Sequence, residues 1–234
     1  MTTEFVICET PDDVARTASD LIQRICISAI VAKGSASLAV SGGSTPQAIF
    51  KLWQLETFPR LDAVHVFMSD ERLVPTTSAD SNAGTMLRLW PDVRNANLVL
   101  PNMELSESSV AADYQRSLTE TIGETPVFDC VMLGLGEDGH TASLFPGKAS
   151  LSDENLVCVA DYGTLPPPVR RLSLTYRCIN LAENVIVIAT GVKKRQWIEA
   201  IRAGVIDRES FPLSGVRPNG KLWFVLDRAA WPEA

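Results

Sequence analysis

The chain has 234 residues, of which 46% are apolar and 21% charged, and a formal net charge of −7. That is ordinary globular composition, which excludes a disordered or low-complexity architecture. The acidic balance excludes nucleic acid and an anionic membrane surface as main partners, since both require an extended basic surface, but leaves a small anionic substrate open.

The elements follow in chain order. Glu4 to Cys8 reads as a first strand. Thr10, Pro11 and Asp13 then supply a helix start: a Thr cap, Pro in the first turn and an acid near the positive end. Val14, Ala18, Leu21, Ile22, Ile25 and Ala29 recur at helical spacing, and Gly34 stops the helix. Ser37 to Val40 is a second strand, followed by the turn Ser41 to Pro46 and a helix from Pro46 to about Leu55. Ala63 to Met68 is a third strand that ends in Ser69 to Arg72. Ser81 caps a helix to Trp90, which Pro91 ends.

Leu98 to Leu100 is a short strand, and Ser106 to Ile122 an amphipathic helix. Phe128 to Leu133 is an apolar strand that runs into Gly134 to Gly147. Leu156 to Ala160 and Leu172 to Thr175 are strands separated by the Pro166 to Pro168 loop. Val185 to Ala189 leads to the segment TGVKK and a helix to about Arg202. Leu222 to Leu226 is the last strand. This alternation predicts an α/β fold with a mostly parallel sheet covered on both faces. No repeat and no linker interrupts it, so residues 1–234 read as one catalytic domain. The loop from Gly163 to Pro168 is expected to bend the chain rather than divide it.

Five cysteines, Cys8, Cys26, Cys130, Cys158 and Cys178, form no CxxC pair. They read as buried free thiols in a reducing compartment. With His65 and His140 as the histidines, no zinc cluster is expected. The N-terminus has no basic start followed by an apolar stretch. No run reaches the roughly 18 apolar residues of a membrane span. The expected location is therefore the cytoplasm.

Four polar segments each follow the end of an apolar strand: SGGST at Ser41, SDER at Ser69, GEDGH at Gly136 and GVKK at Gly191. In an open parallel sheet such ends share the edge where ligands bind. Gly42 and Gly43, followed by a helix start, suit an anion. The six residues from Ser41 to Pro46 fit an ordinary strand-to-helix turn capped by Thr45 equally well. Arg72, two residues after Asp70, offers a guanidinium beside a carboxylate, a weak signal alone.

The segment from Gly134 to Gly147 is the most specific. Gly134, Gly136 and Gly139 surround Glu137, Asp138 and His140. A histidine held by a glycine-rich loop beside two acids is placed for proton transfer near neutral pH. His65, between Val64 and Val66, reads as structural. The glycine spacing of GLGEDG does not fit a dinucleotide loop. Arg170, Arg171, Lys193, Lys194 and Arg195 supply further cations. Lys194, in the first turn of a helix, is best understood with an anion to compensate it.

Together the segments SGGSTP, SDER, SNAG, GLGEDGHTASLFP, RLSLT and TGVKK resemble the glucosamine-6-phosphate isomerase/6-phosphogluconolactonase family, on its phosphogluconolactonase side, from about Ser37 to Lys221. The resemblance implies a modified Rossmann-like α/β/α fold, as in glucosamine-6-phosphate deaminase, ribose-5-phosphate isomerase and CoA-transferases. It implies cofactor-independent, metal-free hydrolysis of 6-phospho-D-glucono-1,5-lactone, a cytoplasmic step of the pentose phosphate pathway, by a monomer or weak homodimer. Carried over by position, Gly42, Gly43, Ser44, Thr45, Arg72, Arg171 and Lys194 hold the phosphate. Asp70, Asp138 and His140 sit at the lactone.

The sister deaminase pattern continues after its histidine to Phe-Asn-Glu-Pro, and its glutamate serves the ring-opening histidine. Here Phe145 falls where that glutamate would be, and Arg72 stands where that pattern has a tyrosine. Both departures favour the lactonase over the deaminase. A non-catalytic sugar-phosphate-binding protein is the other reading, and it has no use for an intact Asp138–His140 pair. In the expected mechanism neutral His140 activates water, and Asp70 or Asp138 orients it; the sequence does not choose between the acids. Ser41, Ser44 and Ser143 lack a GxSxG context, which disfavours an acyl-serine route.

Overall fold

A computed structural model describes residues 2–56, 58–161 and 168–232. The strands are β1 (Thr2–Cys8), β2 (Ala36–Val40), β3 (Val64–Met68), β4 (Asp70–Arg72), β5 (Asn97–Val99), β6 (Cys130–Gly134), β7 (Val157–Ala160), β8 (Arg171–Leu174), β9 (Asn184–Ala189) and β10 (Lys221–Asp227). The α-helices are α1 (Pro11–Lys33), α2 (Ser44–Leu55), α3 (Asn82–Leu89), α4 (Glu107–Ile122), α5 (Tyr176–Ile179) and α6 (Arg195–Arg202). Seven strands form one parallel sheet in the order β1-β10-β9-β6-β2-β3-β5. A small antiparallel sheet, β4-β8-β7, stands beside it.

Alternation along the strands explains the layers. In β6, Val131 and Leu133 join one apolar cluster while Cys130 and Met132 join another. In β9, Val185 and Val187 divide from Ile186 and Ile188 in the same way. Successive side chains on a strand point to opposite faces, so a strand apolar at every position must be covered twice. Val14 and Ile22 of α1, Phe50 and Trp53 of α2 and Met86 of α3 cover one face. Val110, Tyr114 and Leu118 of α4 and Ile198 of α6 cover the other.

The start of α1 follows the sequence. Thr10 Oγ1 accepts from Asp13 N at 3.2 Å, and Asp13 Oδ2 accepts from Thr10 N at 3.1 Å, a reciprocal capping box. Gly34, at φ +88°, closes the helix in the left-handed region. The five cysteines are buried free thiols. Among the described residues, no helix is long and apolar enough to cross a membrane.

Three local expectations need correction. Helix α2 begins at Ser44 and not at Pro46, and its cap is Gly43, not Thr45. Gly43 at φ +108° makes the earlier start possible, and Pro46 still lies in the first turn, where its missing N–H costs nothing. Asp70 to Arg72 is not a loop at the end of the third strand but a separate strand, pinned antiparallel to β8. Lys194 lies in a 3-10 turn, Val192–Lys194, that precedes α6. The expected bend from Gly163 to Pro168 falls, except for Pro168, outside the described residues.

The topology sets the site. Strands β9, β6 and β2 are consecutive neighbours and all parallel. Their C-terminal ends therefore deliver Thr190 to Lys194, Leu135 to His140 and Ser41 to Thr45 to one stretch of sheet edge. The small sheet adds Arg72 and Arg171 from the side.

Candidate active site

A cavity of about 310 Å³ opens at that edge. Gly42, Gly43, Ser44, Thr45, Asp70, Arg72, His140, Arg171 and Lys194 all line it. Asp138 stands behind His140 rather than on the wall. The residues expected at the phosphate and the lactone are thus brought together, although they come from four separate segments and the start of β8, whereas Arg170, Lys193 and Arg195 do not line the cavity.

One part of the wall gathers a helix start and three cations. Helix α2 starts here with no side-chain cap and no acid in its first turn. Ser44, Thr45 and Pro46 of its first turn line the cavity, and the positive end of a helix dipole favours negative charge. Arg72 and Arg171 are direct cross-strand partners of β4 and β8. Their Nε atoms are buried and have no hydrogen-bond partner among the described residues. Arg171 is 7% exposed, and its guanidinium carbon lies 5.4 Å from the centre of the Phe145 ring. Burial and then the Arg72 charge push its pKa down, while Asp70 and Glu71 pull it back. Lys194 is likewise pushed down by burial and pulled up by Glu137 and Asp138. Desolvated cations of this kind gain most from a bound anion.

The other part holds His140. Its Nδ1 contacts Asp138 Oδ1, which also accepts the His140 backbone N–H at 3.2 Å. Gly136 N donates to His140 O at 2.8 Å and folds the loop back on itself. A Cβ on Gly136 would fall 2.0 Å from His140 Nδ1, so only glycine leaves room for the pair. Gly139 adopts φ +83°, where L side chains are strained. Burial raises the Asp138 pKa, but its hydrogen bonds to His140 and the His140 charge bring it below the usual carboxylate value. Engagement of Nδ1 leaves Nε2 for a bound molecule. The imidazole packs on Phe145, with ring centres 4.5 Å apart.

The two acids have different surroundings. Asp138 touches His140, whereas Asp70 does not hydrogen-bond to it among the described residues. Asp70 Oδ2 accepts from Ser143 Oγ at 2.7 Å, and Oδ1 from Ser69 Oγ at 3.4 Å. Ser69 Oγ in turn lies 2.6 Å from Ser41 Oγ, which donates to Met132 O at 2.8 Å. A chain of buried hydroxyls therefore fixes Asp70 on the wall.

Sequence reasoning missed several of these residues. Ser143 lies in the same loop as His140, but its partner is 73 positions away. Glu71, which the sequence did not single out, is 1% exposed. Asn82 contacts Arg72 and lines the cavity, and only its place in the SNAG segment hinted at a role.

Comparisons with known proteins bear on the fold and the family. A family model described as glucosamine-6-phosphate isomerases/6-phosphogluconolactonase matches residues 9–224. A 6-phosphogluconolactonase of Nostoc sp. is 34% identical over 234 residues, covering 95% of each chain. One of Rattus norvegicus is 33% identical, covering 96% of this chain and 91% of its own. The solved 6-phosphogluconolactonase structure from Trypanosoma brucei superposes with a TM-score of 0.89 at 29% identity, covering 98% of this chain and 97% of its own. A monomeric glucosamine-6-phosphate deaminase superposes with a TM-score of 0.79 at 18% identity, a likeness of fold alone. Fold, segments and relatives together show that this chain belongs to the glucosamine-6-phosphate isomerase/6-phosphogluconolactonase family.

Proposed function

We propose that the protein hydrolyses 6-phospho-D-glucono-1,5-lactone to 6-phospho-D-gluconate, the second step of the oxidative pentose phosphate pathway. The observation that carries this reading is the Asp138–His140 pair facing a cavity that also holds Arg72, Arg171 and Lys194. A lactone with a phosphate at its far end needs a base at one side and cations at the other. The 6-phosphogluconolactonase relatives support the same substrate.

In this mechanism the α2 N-terminus, Arg72, Arg171 and Lys194 hold the phosphate. Neutral His140 takes a proton from water through Nε2 as the water oxygen adds to the lactone carbonyl carbon. Asp138 keeps the proton of Nδ1 in place and stabilises the imidazolium. The tetrahedral intermediate then collapses, the bond from carbonyl carbon to ring oxygen breaks, and the imidazolium returns its proton to that oxygen. The new carboxylic acid ionises in water. Asp70, fixed by Ser143 and Ser69, is placed to accept a hydrogen bond from the attacking water or a sugar hydroxyl. General-base assistance of this kind supplies about 10²–10⁴-fold, enough for an ester that already hydrolyses slowly unaided.

Phe145 disfavours the deaminase reading, because its ring packs on His140 at the position where that pattern has a glutamate. The deciding experiment offers fresh 6-phosphogluconolactone and, separately, glucosamine 6-phosphate. Formation of 6-phosphogluconate above the spontaneous rate is expected. Ammonia from the amino sugar, or turnover of neither, refutes the proposal.

A further inference from the structure

We infer that Asn82 is a positioning residue that aims Arg72 into the anion end of the cavity, and that Glu71 fixes Asn82 for this task. This rests on the hydrolase reading above, since the anion served is the phosphate of that substrate.

Asn82 is 2% exposed, and both ends of its side-chain amide are used. Oδ1 accepts from Arg72 Nη1, and Nδ2 donates to Asp70 O at 2.9 Å. One amide thus braces the guanidinium and the backbone of the acid two residues before it. The same Arg72 Nη1 donates to Asp80 O at 3.0 Å. Both contacts fall on one nitrogen, while Nε is buried and has no partner among the described residues. The guanidinium is held at one corner, and its other donors remain for an anion.

The choice of asparagine has a chemical reason. A neutral acceptor steers an arginine without cancelling its charge. A carboxylate at the same place would pair with Arg72 and repel a phosphate. The turn backbone confirms the tight fit, because a Cβ on Gly42 would fall 1.9 Å from Asn82 Oδ1. Asn82 is therefore wedged between the anion-binding turn and Arg72.

Glu71 holds this wedge from behind. Its carboxylate accepts from Asn82 N and Ala83 N, each at 2.7 Å, and from Ser81 Oγ at 3.0 Å. It also accepts from Arg72 N at 2.7 Å. The acid thereby ties β4, which carries Arg72, to the start of α3, which carries Asn82. A negative charge is favourable at that helix end.

The test uses the full chain with Asn82→Asp and Asn82→Ala. Asn82→Asp keeps size and shape but adds charge and gives up the donor to Asp70 O. Its KM for 6-phosphogluconolactone should rise at least about tenfold, with a much smaller change in kcat. The loss in kcat/KM should be at least about tenfold greater than for unphosphorylated gluconolactone. Asn82→Ala should show the same split with a smaller rise. A role in packing alone leaves Asn82→Asp with the parent's constants, and that outcome overturns the inference, whether or not Asn82→Ala folds. Thermal protection by inorganic phosphate is read on the same proteins and needs no turnover. Protection of the parent but not of Asn82→Asp supports the inference, and equal protection of both overturns it. A parent protected by phosphate that hydrolyses no lactone refutes the hydrolase reading instead.

Discussion

Replacing Gly136 with alanine puts one methyl group into the Asp138–His140 contact. The added carbon would lie 2.0 Å from His140 Nδ1, 2.3 Å from Cε1 and 2.7 Å from Asp138 Oδ1. Ordinary contact between such atoms is about 3.5 Å, so the imidazole must retreat by roughly 1.5 Å. Displacements of about 1 Å cost on the order of 10²-fold when a catalytic group must meet its substrate in one geometry. The base itself is worth about 10²–10⁴-fold, or about 2.7–5.4 kcal/mol of barrier. Both routes predict that Gly136→Ala loses at least about 100-fold in kcat. The assay follows 6-phosphogluconate formed from fresh lactone, with the uncatalysed rate subtracted. Phosphate protection against thermal unfolding should persist, because the anion end of the cavity is built by other segments. A variant within about threefold of the parent in kcat would refute the reasoning, since the imidazole could then move without consequence.

Other outcomes follow from the same geometry. His140→Asn should lose about 10²–10⁴-fold in kcat while phosphate still protects the protein, as read by turnover and by melting with added phosphate. Arg171→Ala and Lys194→Ala should each raise KM for the phosphorylated lactone at least about tenfold and affect unphosphorylated gluconolactone much less; equal effects on both substrates would remove them from the phosphate site. Asp138→Asn should lower kcat at least about tenfold, because the imidazolium loses its partner charge. It should also change the pH dependence of stability. The Asp138 carboxyl lies below its usual value in the folded protein. Its stabilising contribution is thus present above the ordinary carboxylate pKa and is lost as pH falls through the folded value. The Tm gap between parent and Asp138→Asn should close on acidification, and a gap that widens would contradict the assignment.

Much of the fold is legible in the residues because the signal is local. Strands such as Val185 to Ala189, apolar at every position, announce a sheet covered twice. The Thr10–Asp13 box and Gly34 mark the ends of α1 without help from the rest of the chain. Strand β4 is different. Asp-Glu-Arg carries no strand pattern, and it is extended because β8, about 100 residues later, pairs with it. The site divides along the same line. Asp138 and His140 are two apart on one glycine-rich loop, so their partnership is close to readable. The hydroxyl chain from Met132 through Ser41 and Ser69 to Asp70 and Ser143 exists only after three strand ends meet. Glu71 goes unnoticed because the donors that satisfy it lie at the start of α3, invisible to a reading of its neighbours.

The register of the small sheet has a consequence for the protein as a whole. Arg72 and Arg171 stand directly opposite each other on β4 and β8. Like charges so placed work against the pairing of their strands. Under the proposed function, a phosphate dianion held by both guanidiniums would turn this repulsion into shared attraction. Selection for folding alone would discard one of these arginines. On that proposal, stability of the resting small sheet is traded for substrate that completes its electrostatics.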